Sequence, residues 1–242
     1  METEKQLNEL VLKLKQGAAA NLRSVVLYGS AVTGEFHPEH SDLNVLCVLE
    51  HVDATELGKL SPAAAWWAGK GHPAPLVFSQ GELRQFADIF AIELVDIKAN
   101  HRVLHGEDDV AALEVPMRLH SAQVERELSA GLIRLRRGLL VGGRDPKALL
   151  ALMTSSVSAF ATLFRHALMI LGDSPPERKR EIFDRLAKLL GFNGAPFDAI
   201  LDVREGKRRP SDVNIAATFA SYLEGATRVT QEIDRRLASS NP

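Results

Sequence analysis

Two short stretches carry residue types whose spacing could hold a phosphate and a hard cation. Leu27-Tyr28-Gly29-Ser30 closes an apolar run in two small residues, and after an eleven-residue spacer the chain reads Asp42-Leu43-Asn44-Val45. Gly29 and Ser30 leave room for backbone N–H groups to approach a phosphate where a strand gives way to a helix. If the second stretch is a strand, its period of two puts Asp42 and Asn44 on one face and turns Leu43 away. Two oxygen-bearing side chains side by side suit Mg2+, which binds through carboxylates together with substrate phosphates. A third carboxylate is offered by Ile92-Glu93-Leu94-Val95-Asp96. Glu93 and Asp96 are three apart, so only one of them shares a strand face with the pair, and which one stays open.

These residues need a sheet to hold them, and the first half of the chain has the pattern of one. Leu7, Leu10, Val11 and Leu14 predict a helix over residues 4–21. Strands are expected at 24–28, 43–49, 75–78 and 90–97, with a turn or short helix at 101–106. Asp53 to Glu56 and Ser79 to Glu82 have capping-box spacing and predict two intervening helices. Strands interspersed with helices argue for an α/β or α+β sheet domain.

After Pro116 the strand signal stops. Leu128, Leu132, Leu135 and Leu139 form a helical stripe opposite Arg126, Arg134 and Arg137. Asp145-Pro146 starts a second helix, Ser174 to Glu177 is expected to cap a third, a short one spans 196–204, and the last runs from Ser211 to about Leu237. Short loops between amphipathic helices predict an antiparallel bundle. The expected division is a sheet domain over 1–112 and an all-α bundle over 113–242.

Composition sets the outer bounds. The 242 residues are 45% hydrophobic and 25% charged, which excludes disordered and fibrous classes, and one cysteine excludes a disulfide framework or a cysteine-rich zinc site. METEKQLNEL is charged from the start, so no secretory leader is expected. The longest uncharged run, residues 148–164, holds two Thr and three Ser and reads as a buried helix instead of a membrane span. The expected location is cytoplasmic, without a membrane partner. Residues 1–110 carry 9 Lys/Arg against 16 Asp/Glu, whereas residues 111–242 carry 20 against 15. That basic excess is diffuse, and 14 aromatic residues are not interleaved with it, so no specific nucleic-acid partner is indicated. A homodimer through the bundle is left open.

The Gly29-Ser30, spacer and Asp42-Leu43-Asn44-Val45 pattern resembles the nucleotidyltransferase superfamily, which includes DNA polymerase β and kanamycin nucleotidyltransferase. The later segment Glu93-Leu94-Val95-Asp96-Ile97-Lys98, followed by Val103-Leu104-His105-Gly106, resembles that family's third-acid strand and the turn after it. The resemblance implies an α+β fold with a mixed sheet, followed by a helical bundle forming the other wall of a cleft. It also implies Mg2+-dependent transfer of a nucleotidyl group from an NTP to a hydroxyl of a small molecule or protein. On that alignment Asp42 and Glu93 are metal ligands, Gly29 and Ser30 grip the nucleotide's phosphates, and Asn44 takes a catalytic acid's place. Asn44 is the departure, because the family has Asp or Glu there. A neutral amide removes one negative charge from the cage, so the resemblance implies either weak activity or a catalytically inactive nucleotide-binding or regulatory protein.

Other chemistry-bearing residues have plainer readings. His37 and His40 sit in the loop before Asp42, and His101 with His105 has metal-like spacing but lacks a third ligand nearby. Cys47 reads as a small buried hydrophobe, and Trp66-Trp67 as one core ring beside one edge ring.

Overall fold

Leu7, Leu10 and Leu14 repeat at helical spacing and are buried along one side of α1 (Glu2–Ala18), which a 3-10 turn at Ala19–Asn21 joins to β1 (Leu22–Tyr28). The structure is a computed structural model that describes residues 2–34, 42–143 and 145–240. Residues 1–118 and 119–242 form two separate compact units.

In the first unit β1 is followed by the single turn α2 (Ser30–Thr33), then β2 (Asn44–Leu49), α3 (Ala54–Ala68), β3 (Leu76–Ser79), α4 (Gln80–Gln85), α5 (Ala91–Ala99) and β4 (His101–Gly106). The strands form one mixed sheet in the order β3-β2-β1-β4. β1 runs antiparallel to β2 and β4, and β2 runs parallel to β3. Both faces of the central strands are sealed, as their continuous apolar runs require. Val25, Leu27, Val45 and Cys47 pack with Leu7, Leu10, Leu60 and Trp67 from α1 and α3. Val26, Leu46 and Val48 pack with Leu83, Ala87, Leu94 and Ile97 from α4, α5 and the link between them.

Two helix starts in this unit follow from their caps. Ser79 and Glu82 complete a reciprocal capping box at α4. At α3 the Asp53 side chain accepts from the Glu56 N–H, but the Glu56 carboxylate turns inward and accepts from the Asn21 side chain at 2.9 Å. Asn21 also exchanges bonds with both backbone groups of His51, so a buried polar knot ties the start of β1 to the end of β2.

Residues 90–97, expected as the fourth strand, form α5 instead. Ala91, Ile92, Leu94 and Ile97 are buried together, a spacing that only a helix gathers onto one side. The fourth strand is His101–Gly106, expected as a turn. Its mixed polar residues fit a half-buried edge, and it supplies the second ladder that β1 needs. Gly106 is obligatory there: its φ is +80°, and a Cβ would lie 1.8 Å from the Arg23 carbonyl oxygen.

The second unit contains α6 (His120–Gly142), α7 (Pro146–Ile170), α8 (Lys179–Leu190), α9 (Ala195–Arg204) and α10 (Ile215–Ser240). Asp145 caps α7 by accepting from the Lys147 N–H, with Pro146 at the first helical position. α7 touches α6, α8, α9 and α10, and is the one described helix long and apolar enough to cross a membrane by length and composition. Its buried rings Phe160 and Phe164 join Phe183, Phe197 and Tyr222 in one aromatic core. Ser174 does not cap α8. The helix begins at Lys179 after an extended Arg178 without a side-chain cap, because Pro175-Pro176 holds the preceding chain out of helical geometry.

Candidate functional site

The end of β1 and the beginning of β2 lie side by side. Tyr28 pairs with Asn44 across the ladder, and with His101 on its other side. Gly29 follows with φ +81° and ψ −152°, a conformation essentially reserved for glycine. It caps α2, its carbonyl accepting from the Val32 N–H at 2.9 Å. A Cβ on Gly29 would stand 3.3 Å from the Asn44 amide nitrogen, so the absent side chain is what lets Asn44 approach the strand end. Ser30, the first residue of α2, is half-buried beside them.

Asp42 lies just before β2 and is exposed, whereas Leu43 is buried in the layer formed with α1 and α3. Asn44 alternates with Val45 and so shares the opposite face with Leu46 and Val48. The start of β2 is held by His72. Its Nδ1 accepts from the Leu43 N–H at 3.4 Å, which assigns the proton to Nε2, and Nε2 donates to Gln6 Oε1 at 3.3 Å. The ring sits 4.3 Å from that of Trp67. Burial holds the His72 pKa below the usual imidazole range, and the nearby Asp42 carboxylate opposes that shift.

Glu93 reaches the site from a helix. It is exposed in the first turn of α5, one helical turn before the half-buried Asp96. Its charge is felt at Tyr28, whose hydroxyl is pushed up to about 12, first by burial and then by the Glu93 carboxylate. Tyr28, Gly29 and Asn44 are therefore in direct register, and Glu93 faces Tyr28 electrostatically. Asp42 is coupled to His72.

A two-cation cage does not fit these residues. Among the described residues no group of three His, Cys, Asp or Glu side chains could hold a metal ion. At the start of β2 the donors are one carboxylate, Asp42, and one neutral amide oxygen, Asn44. The third carboxylate expected on a sheet strand is on α5 instead.

Two residues at the site escape a sequence pattern of acids and glycines. Tyr28 is signalled only by its place immediately before Gly29 at a strand end. His72 is carried by the loop after α3 and meets Leu43, 29 residues away in sequence, while its ring also contacts Gln6 and Trp67.

Among the other expectations, Cys47 is fully buried and its thiol is pushed up to about 12 by burial. Trp67 is fully buried, and Trp66 is half-buried with Lys13 and Lys70 over its ring. His101 bonds Asp108 at 3.0 Å on the edge strand. Arg134, Arg136 and Arg137 are exposed on α6. His37 and His40 lie outside the described residues.

No model of a protein family matches the chain, and no curated protein does. Solved structures do. Spectinomycin adenyltransferase AAD(9) from Enterococcus faecialis, solved with ATP and spectinomycin, is similar with a TM-score of 0.60 at 15% identity, over 93% of this chain and 98% of that one. A toxin-antitoxin structure with AMP-PNP is similar at 15% identity over 50% of this chain and 92% of that one, with a TM-score of 0.33 that carries no argument. The chain thus shares its fold with that adenyltransferase, a mixed four-stranded sheet with helices followed by a helical unit. A fold shared at this identity speaks for architecture, and chemistry has to be argued from residues.

Proposed function

We propose that this protein binds a nucleoside triphosphate at the edge formed by Gly29, Ser30, Asp42 and Asn44, and that the Asn44 amide leaves it a nucleotide-binding protein with little or no nucleotidyl transfer. The observation that carries this reading is the approach of Asn44 to Gly29. Gly29 holds a glycine-only conformation at a strand end, and the side chain facing it is a neutral amide where the superfamily's chemistry calls for an acid.

The residues act as follows in this reading. The bare Gly29 backbone and the Ser30 hydroxyl meet the phosphates. Asn44 offers the phosphate oxygens an amide N–H donor without adding negative charge. Asp42 and Glu93 supply the remaining acidic character of the edge. Like charges repel a triphosphate, so each carboxylate removed from this edge eases nucleotide approach and takes away a ligand for a cation. A transferase must also activate an acceptor hydroxyl, and the described residues assemble no three-carboxylate group for that task.

A second reading keeps transfer, slow but real, to a hydroxyl of a small molecule or protein. It is favoured by the similarity to AAD(9), an adenyltransferase solved with ATP and spectinomycin, which spans 98% of that chain and includes the helical unit. One experiment separates the two. The full-length protein is titrated calorimetrically with ATP and GTP, then incubated with labelled ATP, Mg2+ and aminocyclitol or protein acceptors. Binding without label transfer is the expected result. Label on an acceptor, lost in Asp42→Ala, would establish the transferase, and no binding of either nucleotide would overturn both readings.

A further inference from the structure

We infer that the end of the α6–α7 hairpin docks on an anionic lipid surface, its aliphatic side chains entering the apolar edge of the bilayer and its arginines pairing with headgroup phosphates. The inference is independent of the nucleotide-binding reading.

Packing within the hairpin decides which residues face outward. Gly138 and Gly142 have no side chain to hold α7 away. A Cβ on Gly138 would lie 2.3 Å from a Leu152 methyl carbon, and one on Gly142 would lie 3.1 Å from the Ala148 Cβ. That close approach fixes the side of α6 that faces α7. Leu140 is two residues from each glycine and so stands about 160° around the helix from both. It is 84% exposed, the adjoining Val141 is 91% exposed, and Ile133, two turns earlier on the same side as Leu140, is 53% exposed. Single exposed aliphatic residues are ordinary, whereas a stripe of them running to a turn marks a contact surface.

Charge identifies the partner. Arg136 and Arg137 lie four and three residues before Leu140, which makes them its neighbours on the helix surface. Arg134, Arg136, Arg137 and Lys147 are exposed, and among the described residues they form no ion pair. From residue 128 to residue 172 the chain holds six Lys or Arg and a single acid, Asp145. That acid is engaged, since its carboxylate accepts from the Lys147 N–H at the start of α7. The hairpin end thus presents cations that the protein does not neutralise beside aliphatic side chains that it does not cover. An anionic bilayer answers both, with headgroup phosphates for the guanidinium groups and acyl chains just beneath for Leu140 and Val141. Nucleic acid would answer the cations alone, because a phosphate backbone has no place for two adjacent aliphatic side chains. The contact is peripheral and needs no spanning segment, so the apolar run in α7 remains in the bundle core, where Phe160 and Phe164 are buried.

Vesicle sedimentation tests this. Full-length protein without nucleotide is spun with vesicles of phosphatidylcholine, alone or mixed with phosphatidylglycerol. Binding is expected to the mixed vesicles, weakened by salt, with little binding to phosphatidylcholine alone. Leu140→Ser with Val141→Ser should weaken it at least about tenfold, and Arg136→Gln with Arg137→Gln about tenfold. All four side chains are exposed, so unchanged unfolding midpoints will show that both variants keep the fold. No binding to either vesicle, equal binding to both, or full binding by either double variant would overturn the inference. Polyuridylate and polyglutamate serve as polyanions without an apolar phase. Binding to one of them as tight as to mixed vesicles, and unchanged in the serine variant, would assign the arginines to a nucleic acid or an acidic protein and overturn the lipid contact.

Discussion

Tyr28 and Asn44 stand opposite each other across β1 and β2, and the Asn44 amide nitrogen lies 3.3 Å from the point where a Gly29 side chain would begin. The register of one strand pair thus sets the spacing of three site residues. Tyr28 also feels Glu93 on α5, so a single strand end links the ladder, the glycine turn and the helix covering that face. Changes at any of these residues should be read out both in stability and in ligand binding.

Gly29→Ala is the most direct probe of the turn. Alanine would have to adopt φ +81° with ψ −152°, which costs about 1–3 kcal/mol, and its methyl would press on the Asn44 amide. The unfolding midpoint should fall by several degrees, and ATP binding should weaken more than stability alone explains. Parallel thermal unfolding and calorimetric titration check this. A variant as stable as wild type with the same ATP affinity would remove the strain and the phosphate role together.

Asn44→Asp tests the charge balance without ligand. In chelator-containing buffer the new carboxylate adds like charge near Asp42 and should cost about 1 kcal/mol. Mg2+ should recover part of that loss in the variant and have little effect on the wild type. Unfolding midpoints with and without Mg2+ decide it, and an Asn44→Asp protein unaffected by Mg2+ would show that the β2 start does not meet a cation.

How far the sequence already disclosed this arrangement depends on the range of the interactions concerned. Gly29-Ser30 and Asp42-Leu43-Asn44 are legible because glycine at a strand end and period-two alternation are local signals. The capping box at Ser79 and the Asp145-Pro146 helix start are local too, and both form. The segment 90–97 is not legible in the same way. Five of its eight residues are aliphatic or Ala, so a buried strand and a buried helix leave nearly the same trace. Tertiary packing of Ala91, Ile92, Leu94 and Ile97 on the sheet decides for the helix, and the ladder then falls to the polar-looking 101–106. Tyr28 matters through its pairing across strands and His72 through loop contacts to Leu43, Gln6 and Trp67, none of which a pattern along the chain contains.

Tyr28 gives an alkaline signature. Its hydroxyl is held up to about 12 by burial and by Glu93, whereas an unfolded tyrosine ionises near 10. Between these values the unfolded chain releases a proton that the folded chain retains, so this contribution to stability is complete below about pH 10 and is lost as pH rises towards 12. Tyr28→Phe should flatten that decline. Glu93→Gln removes the carboxylate's share and should bring Tyr28 ionisation to lower pH in a phenolate absorbance titration. The other tyrosine, Tyr222, is also raised by burial and serves as an internal control that Glu93→Gln leaves in place. An unmoved Tyr28 titration would separate Glu93 from the site.

His72 gives the opposite, acidic signature. Burial lowers its folded pKa, so below about pH 6.5 the unfolded chain takes up a proton that the folded chain resists. Its contribution to stability is present above that pH and is lost as pH falls through the ordinary imidazole range towards the lowered folded value. Protonation also turns Nδ1 from acceptor to donor and breaks its bond from the Leu43 N–H, loosening the chain beside Asp42. The unfolding midpoint of the wild type should therefore drop between about pH 7 and pH 5 more steeply than that of His72→Gln, which keeps an acceptor but cannot titrate. Indole fluorescence reports the same event, since the imidazole lies 4.3 Å from Trp67 and its cationic form should quench that ring. A His72→Gln protein with the wild-type slope in both measurements would show that the start of β2 is held by other contacts and that Asp42 owes nothing to this histidine.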